Sequence, residues 1–260
     1  MNKRVMAAEE ELAAALRENS ELRTALERCS VAQKQAEEQA QQARNELQNF
    51  VYAAGHDLQE PLRAVSSFAQ LLERRYAGDA EATEFTGLIL DGAGRATALV
   101  QALLSYSRVG SAPHRAVMPL SVAIQPALFK LGKVIRECGA EVKCGDLPEV
   151  NADETQLAQV FEQLLKNAIA FRASDAPMIE ITAEEGSDAH IISVRDNGIG
   201  IDPRFHQFVF SPFKRLHGKE VPGAGLGLAI CRKIVAAHGG RIWVESDGER
   251  GTTVQFTLPF

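Results

Sequence analysis

Residues 56–76 read HDLQEPLRAVSSFAQLLERRY, and their apolar side chains recur every three or four positions. This is the spacing of one face of an α-helix, so the stretch predicts an amphipathic helix. Gly78 and Asp79 then supply a turn and a helix cap, and residues 80–108 repeat the helical pattern. The sequence therefore predicts a helical hairpin over residues 55–109. One hairpin cannot bury both of its apolar stripes, whereas two hairpins from a homodimer form a four-helix bundle.

The 54 residues before this hairpin are rich in Ala, Glu, Gln, Arg and Leu and contain neither Gly nor Pro. A strict seven-residue register places mostly small or apolar side chains at two core positions over roughly seven heptads, as in a coiled coil. Asn19 falls on one of these positions and favours a parallel pair, because its amide finds a partner only in register. Residues 1–54 therefore predict a parallel coiled coil, with a single solvated helix as the alternative.

Residues 110–119 contain a Gly, a Ser and two prolines, and predict a linker. Helical and alternating β patterns are mixed over residues 120–260, which predicts an α+β sandwich with helices on one face of a sheet. The helices are expected at about 121–138, 153–172 and 226–238, and the strands at 140–144, 149–151, 178–184, 190–196, 241–246 and 252–258.

Composition excludes several classes of function. A net charge of −6 over 260 residues argues against a nucleic-acid partner. The chain has no run approaching the roughly 20 apolar residues of a membrane span, and its N-terminus lacks a signal-peptide core. Its four cysteines fit neither a metal motif nor a disulfide framework. A reduced, cytoplasmic protein is the expectation.

His56 and Asp57 form the first candidate site. The helical phase turns His56 away from the apolar stripe, so its ring is expected in solvent. A neighbouring carboxylate can accept one ring proton and leave the other nitrogen free to attack an electrophile, as a nucleophile requires. The alternative is an ordinary surface histidine.

Two glycine-rich segments form further candidates. In residues 196–200, DNGIG, an Asp at a strand end is followed by glycines that admit a planar base, although a simple turn has the same pattern. In residues 223–228, GAGLGL, bare backbone amides open a helix and could bind phosphate. The spacing is neither the Rossmann nor the Walker pattern, so this loop alone is weak support.

Gln163 and Asn167 are four residues apart on the helix predicted at 153–172, so they share a face. Their amide oxygens could hold a hydrated Mg²⁺ on a nucleotide. A polar stripe that faces solvent is the alternative.

Five segments in this order resemble the H, N, G1, F and G2 boxes of the sensor histidine kinases of two-component systems: HDLQEPLR, EQLLKNAIAF, DNGIGI, FSPFKRL and GAGLGLAI. The resemblance covers about residues 50–260, and the H box is similar to that of kinases joined to phytochrome, GAF or PAS sensor modules. It implies a dimeric phospho-acceptor hairpin followed by a Bergerat-type ATP-binding domain. The implied activity is an autokinase that uses ATP and Mg²⁺ and passes the phosphoryl group to an Asp of a response regulator receiver domain.

The resemblance also assigns roles to residues. It implies that His56 is the phospho-acceptor and Asp57 its general base, while Asn167 holds Mg²⁺ through the nucleotide. It implies that Asp196 binds the adenine amino group and that residues 202–222 form the ATP lid. The other nucleotide-binding residues that it implies are Lys166, Gly198, Gly200, Lys214, Arg215, Gly223, Gly225, Leu226 and Gly227.

Three positions depart from the family pattern. Gln163 stands where the family often has Asn, and Ala170 stands where it has a Lys near the phosphates, so Lys166 or Arg172 is expected to supply that charge. Glu60 replaces the Thr or Asn that orients a water for dephosphorylating the partner. A carboxylate repels a phospho-aspartate, which predicts weak or absent phosphatase activity.

Three other functions remain open from the sequence. A degenerate kinase could serve as a nucleotide-binding scaffold or as a partner-binding module. Another ATPase with the same nucleotide fold, as in type II topoisomerases or mismatch-repair proteins, would lack the histidine hairpin. A coiled-coil interaction protein would not need the last 140 residues. No sensor module precedes the coiled coil, so we expect a fragment, or a subunit driven by an upstream sensor domain or protein.

Overall fold

A computed structural model describes residues 2–109, 113–173, 176–216 and 223–260. Contacts divide the chain into two units, Met1–Phe50 and Val51–Phe260. The first unit is helical from Asn2, and the side chains of Leu26 and Leu47 at predicted seam positions are 73% and 63% exposed in the single chain.

The helical hairpin is present as expected. Helix α1 (Asn2–Arg75) continues through the predicted start of the hairpin without a break, and helix α2 (Ala80–Arg108) follows after a short turn. The Asp79 carboxylate accepts hydrogen bonds from the backbone amides of Glu81 and Ala82 at 3.0 and 3.1 Å, which confirms the predicted cap.

The remainder of the second unit is an α/β domain. Its main elements, in chain order, are β1 (Ala116–Pro119), α3 (Leu120–Cys138), β2 (Glu141–Cys144), β3 (Glu149–Ala152), α4 (Glu154–Ala170), β4 (Met178–Glu185), β5 (Ala189–Asp196), α5 (Gly227–Ala237), β6 (Ile242–Glu245) and β7 (Thr252–Pro259). Two short 3-10 turns, Pro203–Phe205 and Phe208–Phe210, lie between β5 and α5.

Five strands form a mixed sheet in the order β2-β4-β5-β7-β6, in which β2 and β4 are parallel and the other pairs are antiparallel. Alternate side chains of the central strands, such as Ile192 and Phe256, are fully buried in one core with Phe161 and Leu165 of α4 and Ile234 of α5. This period-two burial confirms the predicted layer of helices on one face of the sheet.

The linker prediction at 110–119 is wrong for its last four residues. Ala116–Pro119 form strand β1, which pairs antiparallel with β3 so that Val117 lies opposite Asn151. Pro119 ends the strand, and a residue that precedes a proline favours extended backbone. The pairing partners lie at least thirty residues downstream, so local composition does not show them. Residues 110–112 lie outside the described part of the chain.

The last turn of α2 contacts the α/β domain. Lys233 on α5 donates a hydrogen bond from Nζ to the backbone carbonyl of Tyr106 at 2.9 Å, and its ammonium group lies 4.7 Å from the centre of the Tyr106 ring. Val109 is buried in the domain core. A lysine that binds a carbonyl at the C-terminal end of a helix is favoured by the helix dipole.

Candidate functional site

His56 projects from α1 into solvent, with 71% of its side chain exposed. Its Nδ1 lies 3.4 Å from Oδ1 of Asp57, so the carboxylate faces this ring nitrogen. In the tautomer with the proton on Nδ1, the lone pair of Nε2 is free. His56 lines a cavity with other residues of α1 and α2, none of which belongs to the predicted nucleotide site.

Asp196 is the last residue of β5 and is paired with Ile179 of β4 and Thr252 of β7. Its Oδ1 accepts hydrogen bonds from the backbone amides of Gly198 at 2.8 Å and Thr252 at 3.1 Å. Burial raises the pKa of Asp196 above its ordinary value, and the two backbone hydrogen bonds lower it in part. Because both bonds end on Oδ1, Oδ2 is the oxygen that can accept a hydrogen bond from a ligand.

Gly198 permits a close approach of two backbone segments. A Cβ at this position would lie 2.5 Å from the carbonyl oxygen of Phe171, at the end of α4, and 2.9 Å from Oδ1 of Asp196. The amide of Ile199 donates to the same carbonyl at 3.0 Å. The loop after β5 is therefore fixed against the helix that carries Asn167.

The other side of this loop is held by Ser246, which follows β6. Its hydroxyl donates to the carbonyl of Gly251 at 2.7 Å and accepts from the amide of Ile201 at 2.9 Å. Gly200 has φ +78°, and a Cβ there would lie 3.1 Å from the Ser246 oxygen. One side chain thus joins the segment between β6 and β7 to the loop that holds Asp196.

Asn167 and Gln163 point toward the start of α5. A Cβ placed on Gly227 would lie 2.9 Å from Oε1 of Gln163 and 3.8 Å from Oδ1 of Asn167. The side-chain amide oxygens of Gln163 and Asn167 therefore lie beside the N-terminus of α5, where no side chain caps the first backbone amides. Leu226 does not face this opening with its side chain, because it is 1% exposed and packs in the core.

The loop before α5 runs against the segment at 213–215. Gly225 has φ +69°, and a Cβ there would lie 2.8 Å from the carbonyl oxygen of Lys214. Phe213 also has a positive φ of 61°, which is strained for a side chain of its size. Among the described residues, no atom lies within 4 Å of a Cβ placed on Gly223. Part of the predicted ATP lid, residues 217–222, lies outside the described residues.

The basic candidates are engaged elsewhere in this conformation. Lys166 forms an ion pair with Glu162, whose other oxygen accepts from Lys130 Nζ at 2.8 Å. Burial alone would raise the pKa of Glu162, but the hydrogen bonds from Lys130 and Lys166 outweigh it and lower that pKa.

The Nζ of Lys214 lies 4.8 Å from the centre of the Phe208 ring. Arg215 is exposed, and its side chain runs beside Gly225 in the loop before α5.

Sequence reasoning missed Thr252 and Ser246. Thr252 lies opposite Asp196 in the register of β5 and β7, more than fifty residues away along the chain. Its amide reaches Asp196 only because the two strands pair. A run of alternating residues indicates a strand, but it does not name the partner strand or the register.

Two family models match separate parts of the chain. Residues 46–112 match the model described as the His Kinase A (phospho-acceptor) domain. Residues 152–260 match the model described as the histidine kinase-, DNA gyrase B-, and HSP90-like ATPase. Together the two matches cover more than half of the chain.

Curated relatives include two cyanobacterial proteins. Cyanobacterial phytochrome A of Nostoc sp. is 45% identical over 249 residues, covering 92% of this chain and 32% of the relative. The phytochrome-like protein Cph1 of Synechocystis sp. is 42% identical over 236 residues, covering 87% of this chain and 32% of the relative. The chain therefore spans about a third of the length of these relatives.

Solved structures share the fold. Full-length ShkA, determined in complex with AMPPNP, aligns with a TM-score of 0.61 at 27% identity, covering 82% of this chain and 46% of that one. The histidine kinase ThkA, determined in complex with the response regulator protein TrrA, aligns with a TM-score of 0.58 at 24% identity. It covers 83% of this chain and 64% of that one, and at this identity the likeness shows the fold alone.

Across the part of the chain that the structure describes, no helix is long and apolar enough to cross a bilayer. The same residues contain no group of three or more His, Cys, Asp or Glu side chains placed to hold a metal ion.

Proposed function

Because the chain belongs to the family of sensor histidine kinases, we propose that it is an ATP-dependent autokinase that phosphorylates His56. The observation that carries the proposal is the ring of His56, which is solvent-exposed and has a carboxylate on one nitrogen only. The chain also supplies a site suited to a purine nucleotide around Asp196.

The chemistry follows from the two ring nitrogens. The lone pair of His56 Nε2 forms a bond to the γ-phosphorus, and the bond from that phosphorus to the β–γ bridging oxygen breaks. ADP leaves with this electron pair. The ring then carries a positive charge, which Asp57 stabilises at Nδ1 until that proton is lost. Positioning and charge neutralisation supply most of the rate in such transfers.

Asp196 would recognise the base. Oδ2 would accept a hydrogen bond from the exocyclic amino group of adenine, while Gly198 keeps the loop close enough for the ring to enter. A purine with a carbonyl in place of that amino group offers no donor at this position. The site therefore favours ATP over GTP.

The phosphates and Mg²⁺ would lie at the start of α5. The amide oxygens of Gln163 and Asn167 near Gly227 are a suitable donor set for a hydrated Mg²⁺, which keeps several waters and needs few protein ligands. When bound, Mg²⁺ would neutralise charge on the phosphates. The amides of Gly223, Gly225 and Gly227 would bind phosphate oxygens, and Lys214, Arg215 or Lys166 would add positive charge after moving from their present contacts.

A homodimer would cover the apolar side chains of α1 that are exposed in the single chain. Leu58, Val65 and Leu72 of α1 are 52%, 45% and 45% exposed in the single chain, although they are seven residues apart on one stripe. Exposed apolar residues with this period are typical of helices that pack against a partner. We propose a four-helix bundle continued by a parallel coiled coil, in a cytoplasmic protein that receives its signal from an upstream sensor domain or protein.

The proposed acceptor of the phosphoryl group is an Asp of a response regulator receiver domain. An exposed phosphohistidine on a helix can be reached by a separate protein, and the exposure of His56 meets this requirement.

The test is incubation with ATP labelled at the γ-phosphate, comparing the wild-type chain with His56→Ala. We expect a base-stable, acid-labile label in the wild type and none in the variant. Label that survives in the variant would mean that another residue is the nucleophile. Transfer is then tested by adding receiver domains to the labelled chain.

A nucleotide-binding scaffold is the second candidate. It is favoured by Ala170 and by the ion pair of Lys166 with Glu162, which leave little positive charge near the phosphates in this conformation. Binding of ATP without any label on the wild-type chain would support it.

A further inference from the structure

The hairpin contains a cavity of about 360 Å³ beside His56, which is here called the His56 cavity. One wall is a stripe of α1 and the other a stripe of α2, because residues three, four and seven apart share a helix face. Its lining residues are Tyr52, His56 and Gln59 from α1 and Gln101, Leu104, Ser105 and Arg108 from α2. A water occupies about 30 Å³ in the liquid, so the cavity has room for a phosphoryl group with its hydration.

The chemistry of the walls selects an anion. Arg108 brings a guanidinium group, and Gln59, Gln101 and Ser105 bring neutral hydrogen-bond donors. None of the seven lining residues carries a carboxylate, although Asp57 and Glu60 are close in sequence. Arginine with amide and hydroxyl donors is a common arrangement around phosphate.

Two contacts fix the shape of the cavity. The guanidinium carbon of Arg108 lies 5.0 Å from the centre of the Tyr52 ring, which restrains an otherwise flexible side chain. Gly55 is buried between the helices, and a Cβ there would lie 2.6 Å from Cδ2 of Leu104. Gly55 therefore sets the close approach of α1 and α2 next to His56.

We propose that the His56 cavity holds the phosphoryl group after its transfer to His56, with Arg108 as the cation that binds it. The inference rests on the proposed function, and it concerns the product of that reaction. Asp57 faces Nδ1, so the group is carried on Nε2. Arg108 binds two phosphoryl oxygens and stabilises the phosphorylated chain relative to free His56 and ATP.

The proposal predicts a measurable change in the equilibrium between the phosphorylated and the free chain. Loss of one charge-assisted contact at an exposed site lowers the ratio of phosphorylated to free chain by about fivefold at a fixed ratio of ATP to ADP. The half-life of the phosphorylated chain after removal of nucleotide shortens by about the same factor. Affinity for ATP does not change, because Arg108 lies outside the nucleotide site.

The experiment uses the full chain with Arg108→Gln, and Arg95→Gln as the matched control. Arg95 is an exposed arginine of the same helix that does not line the cavity. We expect a lower ratio of phosphorylated to free chain and a shorter half-life of the phosphorylated chain in Arg108→Gln. Neither change is expected in Arg95→Gln. Gln101→Leu, which removes a donor from the same wall with little change in volume, gives a smaller loss of the same sign. Gln101→Leu also tests the proposal if Arg108→Gln fails to fold.

The outcomes separate this inference from the proposed function. Absence of label on the wild-type chain overturns both. Label on wild type that depends on His56, with equal phosphorylation levels and half-lives in Arg108→Gln, Gln101→Leu and Arg95→Gln, overturns the His56 cavity proposal alone. Equal losses in Arg108→Gln and Arg95→Gln also overturn it, because they would report the net charge of the hairpin.

Discussion

Asp196 combines a structural cost with a proposed ligand-binding role. Since burial raises the pKa of its carboxyl group, ionisation of Asp196 opposes folding. The associated stability is fully present below the unfolded pKa of about 3.9 and is lost as pH rises through the higher folded pKa. At neutral pH the folded chain therefore carries an unfavourable charge, which is useful when a ligand donates a hydrogen bond to it.

Asp196→Asn is therefore expected to separate stability from binding. The free energy of unfolding at pH 7 should equal or exceed that of wild type, and the difference should vanish below about pH 3.9. Affinity for ATP should fall by about tenfold to 100-fold, because an amide donor would face the donor of the base. Urea unfolding at two pH values and calorimetric titration with ATP measure these effects. A variant that is less stable at pH 7 and binds ATP normally would contradict both parts.

Gly198 is the second residue whose role can be isolated. In Gly198→Ala the new Cβ would lie 2.5 Å from the carbonyl oxygen of Phe171, so the loop or the end of α4 must shift. We expect a loss of about 2 kcal/mol in the free energy of unfolding, as for other overpacked sites, together with weaker ATP binding.

Gly94→Ala is the matched control. Gly94 lies within α2, and a Cβ there would meet no atom of the described residues of the single chain within 4 Å. Alanine should leave ATP affinity unchanged and raise helix stability by about 0.5–1 kcal/mol. Equal effects of the two substitutions on ATP binding would remove the argument for close packing at Gly198.

At the scale of the elements, local signals predicted the helices well. Asp79 and Asp153 both accept hydrogen bonds from amides two or three residues downstream, so the sequence contains the cap and its partner together. Strand β1 and the contact between Thr252 and Asp196 depend on pairing between distant segments. Periodicity gives the presence of a strand but not its neighbour, so the residues that complete the site from β6 and β7 were missed.

Asp153 provides a test of how the start of α4 supports the site at its other end. Oδ1 caps the amide of Gln156 at 3.0 Å, and Oδ2 accepts from the amide of His114 at 2.9 Å. Asp153→Ala should lower the free energy of unfolding of the α/β domain by about 1–2 kcal/mol. Asp153→Asn, which keeps an acceptor for Gln156, should recover most of it.

The comparison variant for this helix cap is Asp79→Ala, which removes the equivalent cap from α2. Its loss of stability should be similar, but ATP binding should not change because the proposed nucleotide site includes no residue of α2. Thermal unfolding and ATP titration of the variants distinguish these cases. If Asp79→Ala weakened ATP binding as much as Asp153→Ala, the effect would be a general loss of folded protein.

At the scale of the whole molecule, the apolar side chains that α1 exposes in the single chain are the basis for the proposed dimer. Phe68 lies near Val65 and Leu72 on α1 and is 67% exposed in the single chain. A chain that exposes such an apolar stripe to water tends to associate. In a two-fold symmetric bundle each copy contributes the same surface, so every substitution acts twice.

Phe68→Glu is therefore expected to dissociate the proposed dimer. Glutamate preserves helix propensity but cannot remain in an apolar interface. Burial of one Phe side chain contributes about 1.5–3 kcal/mol, so two copies should raise the dissociation constant by about 100-fold or more. Gln70→Glu, on an exposed position away from the stripe, adds the same charge and should leave the dimer intact. Sedimentation velocity over a range of concentrations compares the three chains. If both variants matched the wild type in mass at every concentration, the apolar stripe of α1 would not be the dimer interface.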